Sequence, residues 1–292
     1  TYHKDVLTYK VEDSKQQLVA IFYADFFPRS GKRNGAWMTS YKSQHFKNEI
    51  NERPHVSIVC NFTKPTPTKP SLLTFNEVTT LFHEFGHALH GMLADTVYPS
   101  LSGTSVAWDF VELPSQIMEN WCYEKEALAL FAKHYETGSP IPMDLIEKIK
   151  AASTFQQGMQ TLRQLSFGLL DMSWHGVNPN DITDVKQHES NAFEHTQLFP
   201  DVPENCMSTA FAHIFQGGYS SGYYSYKWAE VLDADAFEYF KETDLFDPKI
   251  AAAFKTHILS KGGTQDPLEL YVKFRGQKPK TDPLLRRSGL LS

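Results

Sequence analysis

Residues 74–93, TFNEVTTLFHEFGHALHGML, form the stretch that decides the fold. Thr74 and Glu77 have the spacing of a capping box, in which each side chain bonds the backbone N–H of the other residue where a helix begins. Apolar residues then recur every three or four positions, which places them on one side of a helix: Val78, Leu81, Phe82, Phe85, Leu89, Met92 and Leu93. The stretch therefore predicts an amphipathic helix that begins at about Thr74.

The opposite side of this predicted helix is polar but almost uncharged. It carries Asn76, Thr79, Thr80, His83, His87 and His90. A helix face in contact with solvent ordinarily carries several lysine, arginine or glutamate side chains. The polar side therefore indicates the wall of a cleft rather than an ordinary solvated surface.

Within the polar side, residues 83–87 read HEFGH and match the pattern H-E-x-x-H. Residues four apart on a helix lie about one turn above each other, so His83 and His87 can converge on one zinc ion. Glu84 is rotated aside, where it can reach a water molecule next to that ion. The alternative is two surface histidines on an amphipathic helix, but the capping box and the uncharged polar side favour the zinc site.

A catalytic zinc site needs a third protein ligand and leaves one position open for water. A third histidine ten residues after the first, as in one variant of the pattern, is excluded because that position is Leu93. The alternative is that a glutamate from a later helix provides the third ligand. The sequence predicts such a helix over residues 109–135, ended by the Gly-Ser-Pro breaker at 138–140, and Glu112 lies in its first turns.

Glu112 is therefore the predicted third ligand. Gln116 and Glu119 follow on the same face, and we expect one of them to orient an imidazole ring of the site. The alternative is that acidic residues near a helix N-terminus only complement the helix dipole. The H-E-x-x-H pattern upstream favours the ligand.

The composition is that of an ordinary globular protein, and it excludes several partners. The 292 residues are 41% hydrophobic, which is enough to bury a large core. A formal net charge of -6 provides no basic surface for nucleic acid or an anionic membrane. Cys60, Cys122 and Cys206 are far apart and odd in number, so we expect three buried free thiols rather than disulfides or a thiolate zinc site.

The sequence contains neither an apolar run of about 18 residues nor a secretory segment, so we expect no membrane partner. A cytoplasmic location is expected, with the periplasm as the alternative. The chain begins with Thr1 rather than Met, and we expect a further segment upstream.

Two parts with different periodicity follow each other along the chain. Residues 1–63 contain four short runs of β-branched and aromatic residues separated by turns, which predict strands: 6–11, 17–26, 36–41 and 56–62. A proline-rich loop at 64–70 follows, and residues 71–292 have mainly helical periodicity. We therefore predict a single α+β domain over 1–292 that is predominantly α-helical and has a small N-terminal β-sheet.

A second group of candidate residues lies at 211–219, FAHIFQGGY, and continues into a predicted helix. The glycine pair indicates a flexible or tight turn. If this segment is helical, Tyr219, Tyr223 and Tyr226 share one face. On the residues alone, such a tyrosine stripe is more often core packing than a catalytic group.

Several short motifs are shared with one known family: HEFGHALH at 83–90, LSGT at 101–104, DFVE at 109–112, PSQ at 114–116, FYADFF at 22–27, GAWM at 35–38 and FRG at 274–276. Together they resemble the thimet oligopeptidase family of zinc peptidases, and the dipeptidyl carboxypeptidase branch is the most similar. The resemblance covers essentially the whole chain. It implies a zincin-type (gluzincin) catalytic domain.

The resemblance implies that His83, His87 and Glu112 hold one zinc ion and that Glu84 is the general base, in agreement with the roles inferred from spacing. The implied activity is hydrolysis of peptide bonds in short oligopeptides, with release of C-terminal dipeptides. The alternatives are an oligo-endopeptidase of the same family and a non-catalytic peptide-binding fragment. Family members also carry a large helical N-terminal half. The expected partners are therefore short peptides, that missing half and, through the exposed cleft, a second copy of the chain.

The same resemblance assigns roles to the second group of candidates. His213 and Tyr226 are expected to contact the transition state. By the resemblance, Gly217, Gly218 and Tyr219 are expected to bind substrate. Tyr223, on the same face, and Arg275 are further candidates for substrate binding, and the alternative for Arg275 is a surface charge. A dipeptide-releasing enzyme also needs a group that binds the terminal carboxylate, for which Arg275, Lys227, His213 and the tyrosines are unranked candidates.

Overall fold

A computed structural model describes residues 1–291 of the chain. The strands are β1 Leu7–Glu12, β2 Leu18–Asp25, β3 Trp37–Lys42, β4 His45–Lys47, β5 Ile50–Glu52 and β6 His55–Val59. Four of them form one sheet in the order β1-β2-β6-β3, and β4 and β5 form a separate hairpin. In the sheet, β2 and β6 pair in parallel, whereas β1 and β3 each pair antiparallel with their neighbour.

The rest of the described chain is mainly helical, which confirms the prediction of a predominantly α-helical α+β fold. The α-helices are α1 Phe75–Met92, α2 Leu113–Glu119, α3 Lys125–Phe131, α4 Met143–Ser153, α5 Gln157–His175, α6 Val185–Phe193, α7 Met207–Ala210, α8 Ala212–Phe215, α9 Ser225–Lys241, α10 Pro248–Phe254, α11 Pro267–Arg275 and α12 Asp282–Arg287. The organisation as one domain stays a prediction.

All four predicted strands are present, but the β4–β5 hairpin was not predicted. Each of its strands is only three residues long. Its turn places Asn48 and Glu49 in the left-handed region, with φ of 49° and 66°. The usual turn signal is a glycine at the second of these positions, and Glu49 replaces it.

Helix α1 begins as predicted. The Thr74 side chain accepts a hydrogen bond from the Glu77 N–H, and the Glu77 carboxylate accepts one from the Thr74 N–H at 2.8 Å. The apolar side of α1 packs on the sheet in a core of buried residues: Ala20, Phe22, Ala24, Val56, Ile58, Ala88 and Met92. Leu89 contacts this core and also the larger one formed by α2, α9, α10 and α11. Helix α1 therefore lies between the sheet and the helical layer.

The prediction of a continuous helix over residues 109–135 is wrong. Helix α2 ends at Glu119, a 3-10 turn covers Asn120–Tyr123, and α3 ends at Phe131. The Asn120 side-chain amide donates to the Gln116 and Ile117 carbonyls in α2 and to Asp233 Oδ1 on α9. Such side-chain bonds compete with the regular helical ladder, so the helix changes geometry where Asn120 is held.

All three cysteines have free thiols. Cys60 and Cys122 are buried as expected, but Cys206 is partly exposed, which corrects the prediction of three buried thiols. Within residues 1–291, no helix combines the length and the apolar character needed to cross a bilayer.

A buried ion cluster joins β2 to the residue that follows β6. Asp25 is 2% exposed and accepts two hydrogen bonds from the Arg29 guanidinium, at 2.7 and 2.8 Å. The equally buried Lys32 ammonium donates to Asp25 Oδ1 at 2.9 Å and to the Cys60 carbonyl. Burial opposes ionisation of Asp25, but the bonds from Arg29 and Lys32 outweigh it and lower its pKa to about 2.

We predict that Asp25→Ala lowers the free energy of unfolding by about 3 to 5 kcal/mol at neutral pH, because it leaves the Lys32 charge buried without its partner. Urea unfolding of wild type and variant measures the difference. The pKa of Asp25 is lower in the folded chain than in the unfolded chain, so its stabilising effect is present above about pH 4 and is lost as the pH falls towards 2. The difference between the two proteins should therefore shrink over this interval.

A matched control is Glu12→Ala, which removes an exposed ion pair with Lys10. Exposed pairs contribute about 1 kcal/mol or less, so this variant should remain close to wild type. Equal stabilities for the two variants would contradict the role of the buried cluster.

Candidate metal centre

Three potential ligand atoms converge where α1 meets α2. His83 and His87 lie one turn apart on α1, with ring centroids separated by 5.0 Å. Glu112 lies immediately before α2, and its Oε2 is 3.3 Å from His83 Nε2 and 3.2 Å from His87 Nε2. The three ligand atoms all lie within 4.8 Å of one another. The structure therefore brings together the three residues predicted as zinc ligands.

Gly86 allows this convergence. A Cβ atom at this position would lie 2.1 Å from the Pro114 carbonyl oxygen and 2.6 Å from Ser115 Cα. Any other side chain would therefore push α2, and Glu112 with it, away from the two imidazoles. Sequence reasoning missed this role, although a glycine inside a helical pattern is a signal of close packing.

Each carboxylate oxygen of Glu112 accepts a hydrogen bond from a hydroxyl group. Ser115 Oγ donates to Oε2 at 2.8 Å, and the Tyr219 hydroxyl donates to Oε1 at 2.7 Å. Glu112 itself is only 3% exposed. These bonds fix the orientation of the carboxylate, and the sequence did not reveal the contribution of Ser115.

The second ring nitrogen of His83, Nδ1, also has a hydrogen-bond partner. Glu119 Oε1 lies 2.7 Å from His83 Nδ1, so Glu119, rather than Gln116, is the residue that orients this imidazole. Gln116 instead donates to the Tyr226 carbonyl at 3.3 Å. His87 Nδ1 is buried and has no hydrogen-bond partner in the part of the chain that the structure describes.

The charges of the site attract a positive charge to the space between the two imidazoles and Glu112. Burial opposes charge on Glu112, but hydrogen bonds from His83 and His87 outweigh it and hold the Glu112 pKa well below its usual range. For His83, burial lowers the pKa, but the bonds with Glu112 and Glu119 outweigh it and raise the pKa to about 10. Without a metal, the positive charge beside the Glu112 anion is the extra proton of His83, and zinc bound to this imidazole would have to displace that proton. Two imidazole nitrogens and one carboxylate oxygen are a donor set that fits zinc and leaves a position for water.

Glu84 has a different environment from Glu112. It is 6% exposed, and its Oε2 has no hydrogen-bond partner among residues 1–291. Burial raises its pKa above the ordinary glutamate value. A carboxyl group with a raised pKa next to a metal site suits proton transfer rather than metal ligation.

His90 does not belong to the cleft wall, which corrects the expectation for the polar side of α1. Its side chain is fully buried, and neither ring nitrogen has a hydrogen-bond partner in the described part of the chain. Burial lowers the His90 pKa to about 3, so the ring is neutral.

Three tyrosines and His213 gather beside Glu112. The Tyr219 and Tyr226 rings stack at a centroid distance of 4.9 Å, and Tyr223 lies 5.1 Å from Tyr226. The exposed His213 ring is 6.0 Å from Tyr219. Burial, with the negative charge of Glu112, raises the pKa of Tyr219 and Tyr226. Both hydroxyls therefore remain protonated at neutral pH and can donate hydrogen bonds.

The segment that carries the first two tyrosines is a loop, not the predicted helix. Helix α9 begins only at Ser225. Gly218 and Ser221 have φ of 85° and 55°, in the left-handed region that a right-handed helix excludes. A Cβ on Gly217 would lie 2.9 Å from His213 Cα, so this glycine serves the chain's own tight turn. Approach of Gly217 and Gly218 to a substrate stays a prediction.

The two cationic candidates are occupied by other contacts. Arg275 lies at the end of α11, where its guanidinium donates to the Asp235 carbonyl at 3.1 Å and to Glu242 Oε1 at 2.7 Å. Lys227 donates to Glu230 at 2.5 Å. These contacts join Arg275 to α9 and to the residue that follows it, so they do not support its predicted role in substrate binding.

Comparisons with known proteins identify the family. Residues 1–290 match Peptidase family M3. Oligopeptidase A of Haemophilus influenzae is 43% identical over 298 aligned positions, which cover 100% of this chain and 43% of that protein. The organellar oligopeptidase A of Arabidopsis thaliana is 45% identical, and the alignment covers 100% of this chain and 38% of that protein. Dipeptidyl carboxypeptidase of Escherichia coli is 40% identical, and the alignment covers 99% of this chain and 42% of that protein.

The fold and the site thus belong to a family of peptidases. The chain is a member of Peptidase family M3, which confirms the resemblance to the thimet oligopeptidase family. It spans less than half the length of the relatives named above. Relatives of both the oligopeptidase and the dipeptidyl carboxypeptidase kind match at similar identity.

We predict that Gly86→Ala destabilises the chain by about 3 kcal/mol, at the upper end of the range for overpacking, because the new Cβ meets backbone atoms of α2. The same variant should lose at least about tenfold in zinc affinity, since Glu112 moves with α2. Urea unfolding and titration with a zinc-competing chelator measure the two effects.

Gly158→Ala on α5 is the matched control, because a Cβ there has no heavy atom within 4 Å in the described chain. Its stability should be unchanged or higher by up to about 1 kcal/mol. Equal zinc affinity in the two variants would show that the close approach of α1 and α2 does not control the site.

Proposed function

We propose that the chain is the catalytic portion of a zinc-dependent peptidase that hydrolyses peptide bonds in short oligopeptides. The observation that carries the proposal is the convergence of His83, His87 and Glu112, with the buried carboxyl group of Glu84 beside them, whose Oε2 has no hydrogen-bond partner among residues 1–291. Membership of a peptidase family supports it. Zinc at this position would polarise the scissile carbonyl and lower the pKa of a water molecule to about 7.

In the proposed mechanism, one residue transfers protons and two others stabilise the negative charge of the transition state. Glu84 takes a proton from the attacking water and later passes it to the departing amine, acting first as base and then as acid. His213 and Tyr226 are the proposed donors to the oxyanion, each worth roughly 2.7 to 4 kcal/mol in transition-state stabilisation. Tyr219 is already bonded to Glu112 and fixes that ligand.

On substrate preference, we propose release of C-terminal dipeptides, with internal cleavage as the second candidate. The Gln216-Gly217-Gly218 form of the loop supports the first. The contacts of Arg275 and Lys227 favour the second, because both cations are paired with carboxylates and leave His213 and the tyrosines to bind a terminal carboxylate. Dimerisation through the cleft and a separate N-terminal half also stay proposals.

We predict that Glu84→Gln retains zinc but lowers kcat by at least about 1,000-fold, because an amide cannot accept the proton. Metal analysis and cleavage of an internally quenched peptide by the zinc-loaded protein test this. Full activity in zinc-loaded Glu84→Gln would remove Glu84 from the mechanism. A wild-type chain that binds peptide and zinc without any turnover would instead favour the peptide-binding alternative.

His87→Ala should lose both the zinc and the activity, because it removes one of three ligands. Removal of zinc from wild type with a chelator should also abolish cleavage, and added zinc should restore it. Restoration in wild type but not in His87→Ala ties the activity to this site. Activity that persists in chelator would contradict the proposed chemistry.

Amidation of the peptide C-terminus separates the two substrate candidates. A dipeptide-releasing enzyme should lose most of its kcat/KM on the amidated peptide, because the terminal charge is part of its recognition. An enzyme that cleaves internally should keep its rate within about twofold. Mass spectrometry of the products identifies the bond that is cut in each case.

A further inference from the structure

Asp171 is a buried carboxylate whose contacts the proposed chemistry does not use. It lies on α5 and is 0% exposed. Its Oδ1 accepts the backbone N–H of Ser221 at 2.9 Å, and its Oδ2 accepts that of Tyr223 at 2.9 Å. These two residues belong to the glycine–tyrosine loop, defined here as residues 216–224, between α8 and α9. One side chain thus bonds two backbone groups of a loop that is distant in sequence.

The Asp171 carboxylate is itself held in place. His175 lies one turn later on α5, and its Nδ1 is 2.8 Å from Asp171 Oδ1. The His175 ring packs near Phe215, at a centroid distance of 5.8 Å, just before the loop begins. The carboxylate therefore has a defined orientation on a regular helix, which is a rigid support.

The loop has a conformation that needs such support. Ser221 has φ of 55°, in the left-handed region that L-residues rarely adopt. A Cβ on Gly222 would lie 2.8 Å from Trp108 Cδ1, so the loop also fits closely against that ring. The two hydrogen bonds to Asp171 flank Gly222 and stabilise this turn over more relaxed ones.

The loop is linked directly to the metal cluster. Tyr219, within the loop, donates its hydroxyl to Glu112 at 2.7 Å and stacks on Tyr226 at the start of α9. Tyr223 packs on Phe167 of α5, at a centroid distance of 5.8 Å. Displacement of the loop would therefore move the Tyr219 hydroxyl away from Glu112 and remove the ring on which Tyr226 stacks.

We propose that Asp171 is a positioning residue for peptide hydrolysis, which holds the glycine–tyrosine loop so that Tyr219 and Tyr226 face Glu112 and the substrate. This inference rests on the proposed function. Asp171 touches neither ligand nor substrate, and acts only through the tyrosines. Loss of the Asp171 carboxylate should slow catalysis because the tyrosine hydroxyls are then misplaced. A displacement of 1 Å can lower the rate about 100-fold.

The first test compares Asp171→Asn and Asp171→Ala with wild type, all saturated with zinc. Asn keeps one acceptor oxygen, so kcat/KM should fall about 10-fold, whereas Ala leaves both amides without an acceptor and should cost about 100-fold. Most of the loss should appear in kcat. Rates within about twofold of wild type in both variants would overturn the inference.

A double-mutant cycle separates positioning from general destabilisation. In a Tyr219→Phe, Tyr226→Phe background the hydroxyls are already absent, so Asp171→Asn should cost less than about twofold there. The full 10-fold loss in that background would show that Asp171 does not act through the tyrosines, and would contradict the proposal.

Glu189 provides a matched control, because it is another buried carboxylate that holds backbone amides. It is 4% exposed and accepts the N–H groups of Met207 and Ser208 at 3.0 and 2.6 Å, outside the loop. Glu189→Gln should lower the melting temperature about as much as Asp171→Asn, but should leave kcat within about threefold. Equal losses of kcat in the two variants would reduce Asp171 to a stability role and overturn the inference.

Hydrogen exchange of the peptide covering residues 216–224 gives a measurement that does not depend on activity. Exchange in Asp171→Ala should be at least about 10-fold faster than in wild type, whereas in Glu189→Gln it should be unchanged. Absence of cleavage by wild type would overturn both the proposed function and the positioning role. Cleavage by wild type together with unchanged exchange in Asp171→Ala would overturn the positioning role alone.

Discussion

The contact between α1 and α2 at Gly86 is the constraint on which the candidate site depends. Two histidines one turn apart on a helix face the same side because of helical periodicity alone, but a third ligand must come from another element. Glu112 reaches both imidazoles because the α2 backbone packs directly against Gly86. A Cβ atom on residue 86 would lie only 2.1 Å from the Pro114 carbonyl oxygen and would exclude this contact. The fold therefore specifies the site through the absence of a side chain as much as through the ligands.

From this contact the site extends outward as a connected set of hydrogen bonds. The Glu112 carboxylate joins the histidines of α1, Ser115 of α2 and Tyr219 of the glycine–tyrosine loop. The same loop is bonded to Asp171 on α5. Glu84, by contrast, is buried without a partner for Oε2 in the described residues, and burial raises its pKa. Two glutamates near each other thus have opposite electrostatic environments, which suits one as ligand and the other as proton carrier.

Local signals predicted much of this arrangement, and non-local contacts account for the errors. The four sheet strands, the capping box of α1 and the ligand candidate Glu112 follow from periodicity and spacing. The break after α2 depends on Asn120 bonding to a residue of α9, and the loop geometry at Ser221 depends on Asp171. Neither partner is recognisable from the neighbouring sequence. The role of Gly86 likewise becomes visible only when α2 is placed beside it.

A crystal structure of the zinc-loaded chain tests the central claim most directly. We expect one zinc ion bound to His83 Nε2 and His87 Nε2 at about 2.0 to 2.1 Å and to a Glu112 oxygen at about 2.0 to 2.2 Å, with a solvent-accessible fourth position. Zinc bound at other residues, or a Glu112 carboxylate turned away from an ion held by the two histidines, would contradict the account.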